Sequence, residues 1–155
     1  MTAKKLKSGQ RSSGRSAGRP KKFTAYLEAS VGCKEVMLAF DAAKIKYKQH
    51  SSYFSPNTHD PTWLPTVGRH GWVLLTTDDK MHYRLAEKHA ILTFKVRSFV
   101  FESHMRGEDM ARFLVKMMPA MRRFCGKHDK PFIGFLQASG GIKLLLDKTG
   151  LVHGK

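Results

Sequence analysis

Acidic residues are scarce in this chain. Only 12 Asp and Glu stand against 28 Lys and Arg, a formal net charge of +16. Cysteine is nearly absent: Cys33 and Cys125 make neither a disulfide framework nor a metal site by spacing, and both are expected to be buried and reduced. No apolar run approaches the roughly 18 residues needed to span a membrane. No apolar segment follows the basic start, so no secretory signal is expected and the reading is of a cytoplasmic protein. The eight histidines show no metal-ligand spacing, and no internal repeat is visible.

What is present is enough apolar material for one ordinary domain. At 155 residues, 41% hydrophobic and with ten Phe, the chain can bury a real core. Its positive charge falls into two parts. Residues 1–22 carry eight Lys and Arg and no acid. The remainder keeps a surplus of about the same size, so a polyanion is the natural partner, through counterion release and long-range steering. The first 22 residues have almost nothing to bury and are expected to be a disordered basic tail, with one domain over residues 23–150. Within the tail, Gly18-Arg19-Pro20-Lys21-Lys22 resembles the core of an AT-hook, in which Arg19 would enter a narrow DNA minor groove. A generic basic arm, with Arg19, Lys21 and Lys22 on phosphate, is the simpler reading.

The stretch Trp72-Val-Leu-Leu-Thr76 reads as a buried parallel strand that ends at Asp78 and Asp79. Around it the pattern predicts a strand over 23–27, a helix over 34–44 and a more polar strand over 47–54. The inner face of that helix is assigned to Val36, Met37, Phe40 and Ala43. Asp60 is expected to be the N-cap of a helix running from Thr62 to His70, with Pro61 at its first position. A helix from Arg84 to Phe94 follows, with Leu85, Ala86, His89, Ala90 and Leu92 available to pack. Then come a strand over 96–102 and a long helix over about 108–126. That helix repeats Met110, Phe113, Leu114, Met117, Met121 and Phe124 on one face, and carries Arg112, Lys116, Arg122, Arg123 and Lys127 largely elsewhere. A terminal hairpin over 131–137 and 142–146 closes the chain. This alternation calls for a three-layer α/β/α sandwich with a mostly parallel central sheet.

In that arrangement Glu28, Asp60 and Asp78 follow the first three strands, on one edge of the sheet. Carboxylates brought that close repel unless a cation lies between them. Oxygen donors without His or Cys point to Mg²⁺ or Mn²⁺ and to phosphodiester hydrolysis. The plainer alternatives are a helix cap for Asp60, a turn cap for Asp78 and an exposed strand end for Glu28. Trp63 and Trp72 read as core rather than as base-stacking platforms.

The segment from Asp60-Pro-Thr-Trp63-Leu64 through Gly71-Trp72 to Thr76-Thr-Asp78 resembles PIN-like domains of the VapC toxin type, above all the compact VapC45-like group. Arg84-x-x-Glu87 and the strand with Arg97 and Phe99 follow the same pattern, and the resemblance spans about residues 23–140. It implies an Mg²⁺- or Mn²⁺-dependent ribonuclease, the toxin of a toxin–antitoxin pair, held by an antitoxin protein. By position Asp60 and Asp78 match two acidic ligands, and Glu28 falls where the family usually has Asp. The helix-borne acid of many PIN nucleases has no motif match; Glu35 is nearest, and Glu87 is the better fourth member. Thr76 is a candidate hydroxyl behind the carboxylates. Arg84, Arg122 and Arg123 join the tail as nucleic-acid contacts, on RNA or, through the tail, DNA. A homodimer is one form open to it. The rival from another class is a non-catalytic nucleic-acid-binding module on a degenerate PIN scaffold.

Overall fold

The computed structural model describes residues 23–102 and 104–153. The tail, and with it Arg19, Lys21 and Lys22, lies outside the described residues. Alternation of strand and helix gives β1 (Thr24–Leu27), α1 (Lys34–Ala42), β2 (Lys46–Gln49), α2 (Asp60–His70) and β3 (Val73–Thr76). These are followed by α3 (Leu85–Thr93), β4 (Arg97–Val100), α4 (Gly107–Lys127), β5 (Phe132–Leu136) and β6 (Ile142–Leu146). The strands form a single sheet in the order β2-β1-β3-β4-β5-β6. Every pairing is parallel except the terminal β5–β6 hairpin.

Successive strand residues point to opposite faces, so a sheet buried on both sides needs apolar residues at every position. That is why β1 and β3 read as unbroken apolar runs. Ala25, Leu27, Val73, Leu75, Phe99 and Phe132 pack on one face with Val36 and Phe40 of α1 and Leu114 and Met121 of α4. Tyr26, Leu74, Val100 and Ile133 pack on the other with Trp63, Leu64 and Val67 of α2 and Ala90 and Ile91 of α3. Two cores flanking one sheet make the expected three-layer sandwich. Both Trp63 and Trp72 are buried, stacked against Tyr26 at ring-centroid distances of 5.5 and 5.8 Å. No helix among the described residues is long and apolar enough to cross a membrane.

Four local expectations are corrected. The second strand stops at Gln49 instead of reaching Phe54, and His50–Ser52 form a 3-10 turn. The His50 ring is the reason: it turns inward, its Nδ1 2.6 Å from the Tyr26 hydroxyl and its Nε2 3.2 Å from the Ser55 carbonyl oxygen. Asp60 is not the N-cap of α2. His59 holds that position and Asp60 is the first helical residue, with Pro61 behind it. In α3 the buried residues are Ala90 and Ile91, while Leu85 is 85% exposed and Ala86 and His89 are exposed too. Its inner face is fixed by the crossing against α2, which a nine-residue helix whose apolar residues do not line up on one side does not announce. Ala43 likewise lies exposed past the end of α1.

The connection β1→β2 runs one way across the sheet, and β2→β3 returns past β1. The carboxyl ends of β1 and β3 therefore flank the point where the winding reverses, where open α/β sheets form their crevices.

Candidate functional site

Four carboxylates from four elements lie at that point. Glu28 leaves β1, with its N–H donating to the Leu75 carbonyl across the strand pair (3.2 Å). Asp78 follows β3 by two residues. Asp60 and Glu87 lie in the first turns of α2 and α3. Helix N-termini favour negative charge, which suits both positions whatever else they do.

Hydroxyls orient Glu28. Its Oε1 accepts from Thr76 Oγ1 (2.9 Å), from Ser30 Oγ (2.5 Å) and from the Ser30 N–H (3.2 Å). Ser30 Oγ in turn accepts from Thr77 Oγ1 (2.9 Å), and Thr76 Oγ1 accepts from the Asp78 N–H (3.1 Å). The ends of β1 and β3 are thus laced together by side chains beyond the last ladder bond. Thr76 is buried, so its two bonds are partly shielded from water, while those of Ser30 lie at the exposed surface. Sequence reading assigned Thr76 a place behind the carboxylates and missed Ser30. A Ser two residues after a carboxylate is a common local turn, and that was the available signal.

Asp78 is engaged at both oxygens. Oδ1 accepts from the Lys80 N–H (3.1 Å), and Oδ2 takes Arg84 Nη1 at 2.7 Å. The same guanidinium nitrogen lies 3.5 Å from Glu87 Oε2. Burial pushes the Asp60 carboxyl up from its ordinary 3.8 to about 6, with the charges of Asp78, Glu87 and Glu28 adding to the rise and Arg84 opposing it. Asp60 is thereby in electrostatic contact with the other three acids, although 18 or more residues separate each neighbour in sequence.

The shift has a stability consequence whose sign is fixed. Between about pH 4 and pH 6 the folded chain keeps a proton on Asp60 that the unfolded chain has lost, so stability falls as pH rises through that window. Asp60→Asn removes the penalty. After discounting for its solvent-screened part, the variant is expected to gain on the order of 1 kcal/mol at pH 7.5 and nothing below pH 4. Thermal melts across pH check this, and a variant less stable than wild type at pH 7.5 would contradict it.

The remaining acid and base candidates lie elsewhere. Glu35 is at the start of α1, its carboxyl carbon 3.7 Å from where a side chain on Gly107 would begin. Arg122 stacks on the Phe23 ring (5.3 Å), at the amino end of β1, and Arg123 is the next residue of the same helix. Phe23 and Glu28 bracket a four-residue strand, about 16 Å of extended chain. The point where the basic tail joins the domain therefore lies beside Arg122, on the edge opposite the acids. Of the cationic candidates in the described residues, the structure brings only Arg84 to the carboxylates.

A family model described as a PIN like domain matches residues 25–103, about half of the chain. The chain belongs to the PIN-like domain family. The matched segment runs from β1 through β4 and contains all four carboxylates together with Thr76 and Arg84. No curated protein and no solved structure matches the chain.

Whether this PIN-like site suits a divalent cation is a matter of donor type, charge and placement. The donors are all carboxylate and hydroxyl oxygens, which hard cations prefer. Four acids against one guanidinium leave negative charge in excess, which adds to burial in raising Asp60. Placement is less complete: among the described residues no group of three or more His, Cys, Asp or Glu is positioned to hold an ion. The Arg84–Asp78 pair also turns one candidate donor onto an internal cation. The set fits a hard divalent cation in kind and charge, with Asp78 currently committed to Arg84.

Proposed function

We propose that this PIN-like domain is an Mg²⁺- or Mn²⁺-dependent ribonuclease of the VapC type, within the compact VapC45-like group, and the toxin of a toxin–antitoxin pair acting in the cytoplasm. The observation that carries the reading is the convergence of Glu28, Asp60, Asp78 and Glu87 at the winding reversal of the sheet. Glu28, Asp60 and Asp78 would hold the ion, with Glu87 assisting. When bound, the ion would supply charge neutralisation at a phosphodiester and acidify water.

The chain's own groups have separate tasks. Thr76 and Ser30 hold one oxygen of Glu28 and leave its second oxygen directed by that constraint. This matters because Glu has one more methylene than the family's usual Asp and would otherwise wander. Asp60, whose negative charge burial and the neighbouring acids disfavour, is the carboxylate that a bound cation would relieve most. Arg84 would meet a backbone phosphate, for which the planar guanidinium is the matched donor. The tail and the Arg122–Arg123 end of α4 would hold RNA at the opposite edge, as a sequence-independent electrostatic contact. An antitoxin protein would cover the acidic edge.

One observation favours a second reading. The 2.7 Å Arg84–Asp78 pair already neutralises an acid that a nuclease would spend on metal. A degenerate, non-catalytic nucleic-acid-binding module would show the same pair. Incubating single-stranded RNA with the purified chain separates the two. The nuclease cleaves in Mn²⁺ and stops in chelator. The binder retains RNA in chelator, releases it as salt rises, and leaves it intact.

A further inference from the structure

Arg84 is the cation that acts on the four-acid cluster, and its position is peculiar for a phosphate-binding residue. Its guanidinium is spent on protein carboxylates: Nη1 lies 2.7 Å from Asp78 Oδ2 and 3.5 Å from Glu87 Oε2. The Lys80 N–H takes Asp78's other oxygen, so both oxygens of that residue face internal donors. The arrangement is not locked. Arg84 precedes the first turn of α3, its side chain is 46% exposed, and the Asp78 side chain is 30% exposed. Ion pairs this open to water are weak and exchange readily. A guanidinium also binds phosphate in the same forked geometry that it uses for carboxylate.

We propose that Arg84 is an internal counter-ion of the acid cluster, which occupies Asp78 until a backbone phosphate of bound RNA draws it away. The proposal rests on the metal-dependent reading above and adds a coupling to it. With Arg84 on Asp78, the carboxylate is withheld from a divalent cation. With Arg84 on phosphate, Asp78 is returned to the other acids. Metal and nucleic acid then strengthen each other's binding by the same factor, as linkage requires. A site built in this way stays poorly loaded until its substrate arrives.

The test measures Mn²⁺ binding rather than cleavage, by electron paramagnetic resonance of the free ion. It uses the full chain as wild type, Arg84→Gln and Arg84→Lys, each with and without a 2′-O-methyl RNA oligonucleotide that cannot be cut at the modified positions. Without oligonucleotide, Arg84→Gln is expected to bind Mn²⁺ about fivefold more tightly than wild type, the scale of an exposed ion pair. Arg84→Lys, which keeps the charge, should remain near wild type. Oligonucleotide should tighten Mn²⁺ binding to wild type by up to about fivefold, toward the Arg84→Gln value, and to Arg84→Gln little. Equal or weaker binding by Arg84→Gln overturns the counter-ion role while leaving a metal site in place. An oligonucleotide without effect on wild type overturns the coupling. Absence of Mn²⁺ binding in every form, with and without oligonucleotide, removes this proposal and the metal-dependent reading together.

Discussion

Gly68→Ala is expected to destabilise the domain by about 3 kcal/mol and lower its melting temperature by about 10 °C. Gly68 lies in α2 where that helix crosses the end of α3. A methyl group there would lie 2.2 Å from the Phe94 carbonyl oxygen, 2.7 Å from Phe94 Cβ and 3.0 Å from the Phe94 carbonyl carbon. Two of these atoms are backbone and the third is fixed to it, so no side-chain rotation relieves the overlap. The helices must separate, and Trp63, Leu64, Val67, Ala90 and Ile91 lose contact along the same seam. Against this, replacing Gly by Ala inside a helix contributes only about 1 kcal/mol of favourable propensity. The clash wins. Because α2 carries Asp60 into the acid cluster, the separation should also reduce the rise in Asp60's proton affinity. Chemical denaturation of the variant measures the first effect. A gain in stability of the size of the propensity term would mean that α2 and α3 do not approach as described.

The sheet and its two cores were legible because a strand buried on both faces must be apolar throughout. Val73 to Thr76 announces itself for that reason, as does the long stripe of α4. The parallel class followed from alternation of strand and helix. The strand order did not, because no local pattern says on which side of β1 the chain will lay β2. Where reading failed, a single non-local contact had overruled local propensity. His50 leaves the strand to reach Tyr26, and α3 takes its inner face from α2 rather than from its own weak stripe.

The acid cluster divides in the same way. Glu28, Asp60 and Asp78 could be singled out because each sits near the end of a strand or the beginning of a helix. Their mutual influence on Asp60 is a property of the folded edge. So are the Ser30 hydroxyl under Glu28 and the choice of Asp78 over Glu87 as the closer partner of Arg84. A spacing of three residues on a helix favours contact between Arg84 and Glu87, which is the weaker of the two pairs. The stronger one closes a six-residue turn between β3 and α3, whose path the sequence leaves open. Likewise, nothing in the composition of α4 said that Arg122 would stand at the tail junction, one strand length from the carboxylates.

Asp78→Asn tests the central claim most directly, in a cleavage assay on single-stranded RNA with Mn²⁺ beside wild type. The substitution is gentle to the fold. Asn keeps an oxygen for the Lys80 N–H, and only the exposed pair with Arg84 is lost, which is worth at most about 1 kcal/mol. Its effect on chemistry should be large, because removing one charge-stabilising group from a preorganised site costs about 10² to 10³ in rate. Mn²⁺-dependent cleavage by wild type is expected to fall at least about a hundredfold in a variant whose melting temperature moves by no more than about 4 °C. Full cleavage by Asp78→Asn would contradict it, and the carboxylates at the winding reversal would then be structural.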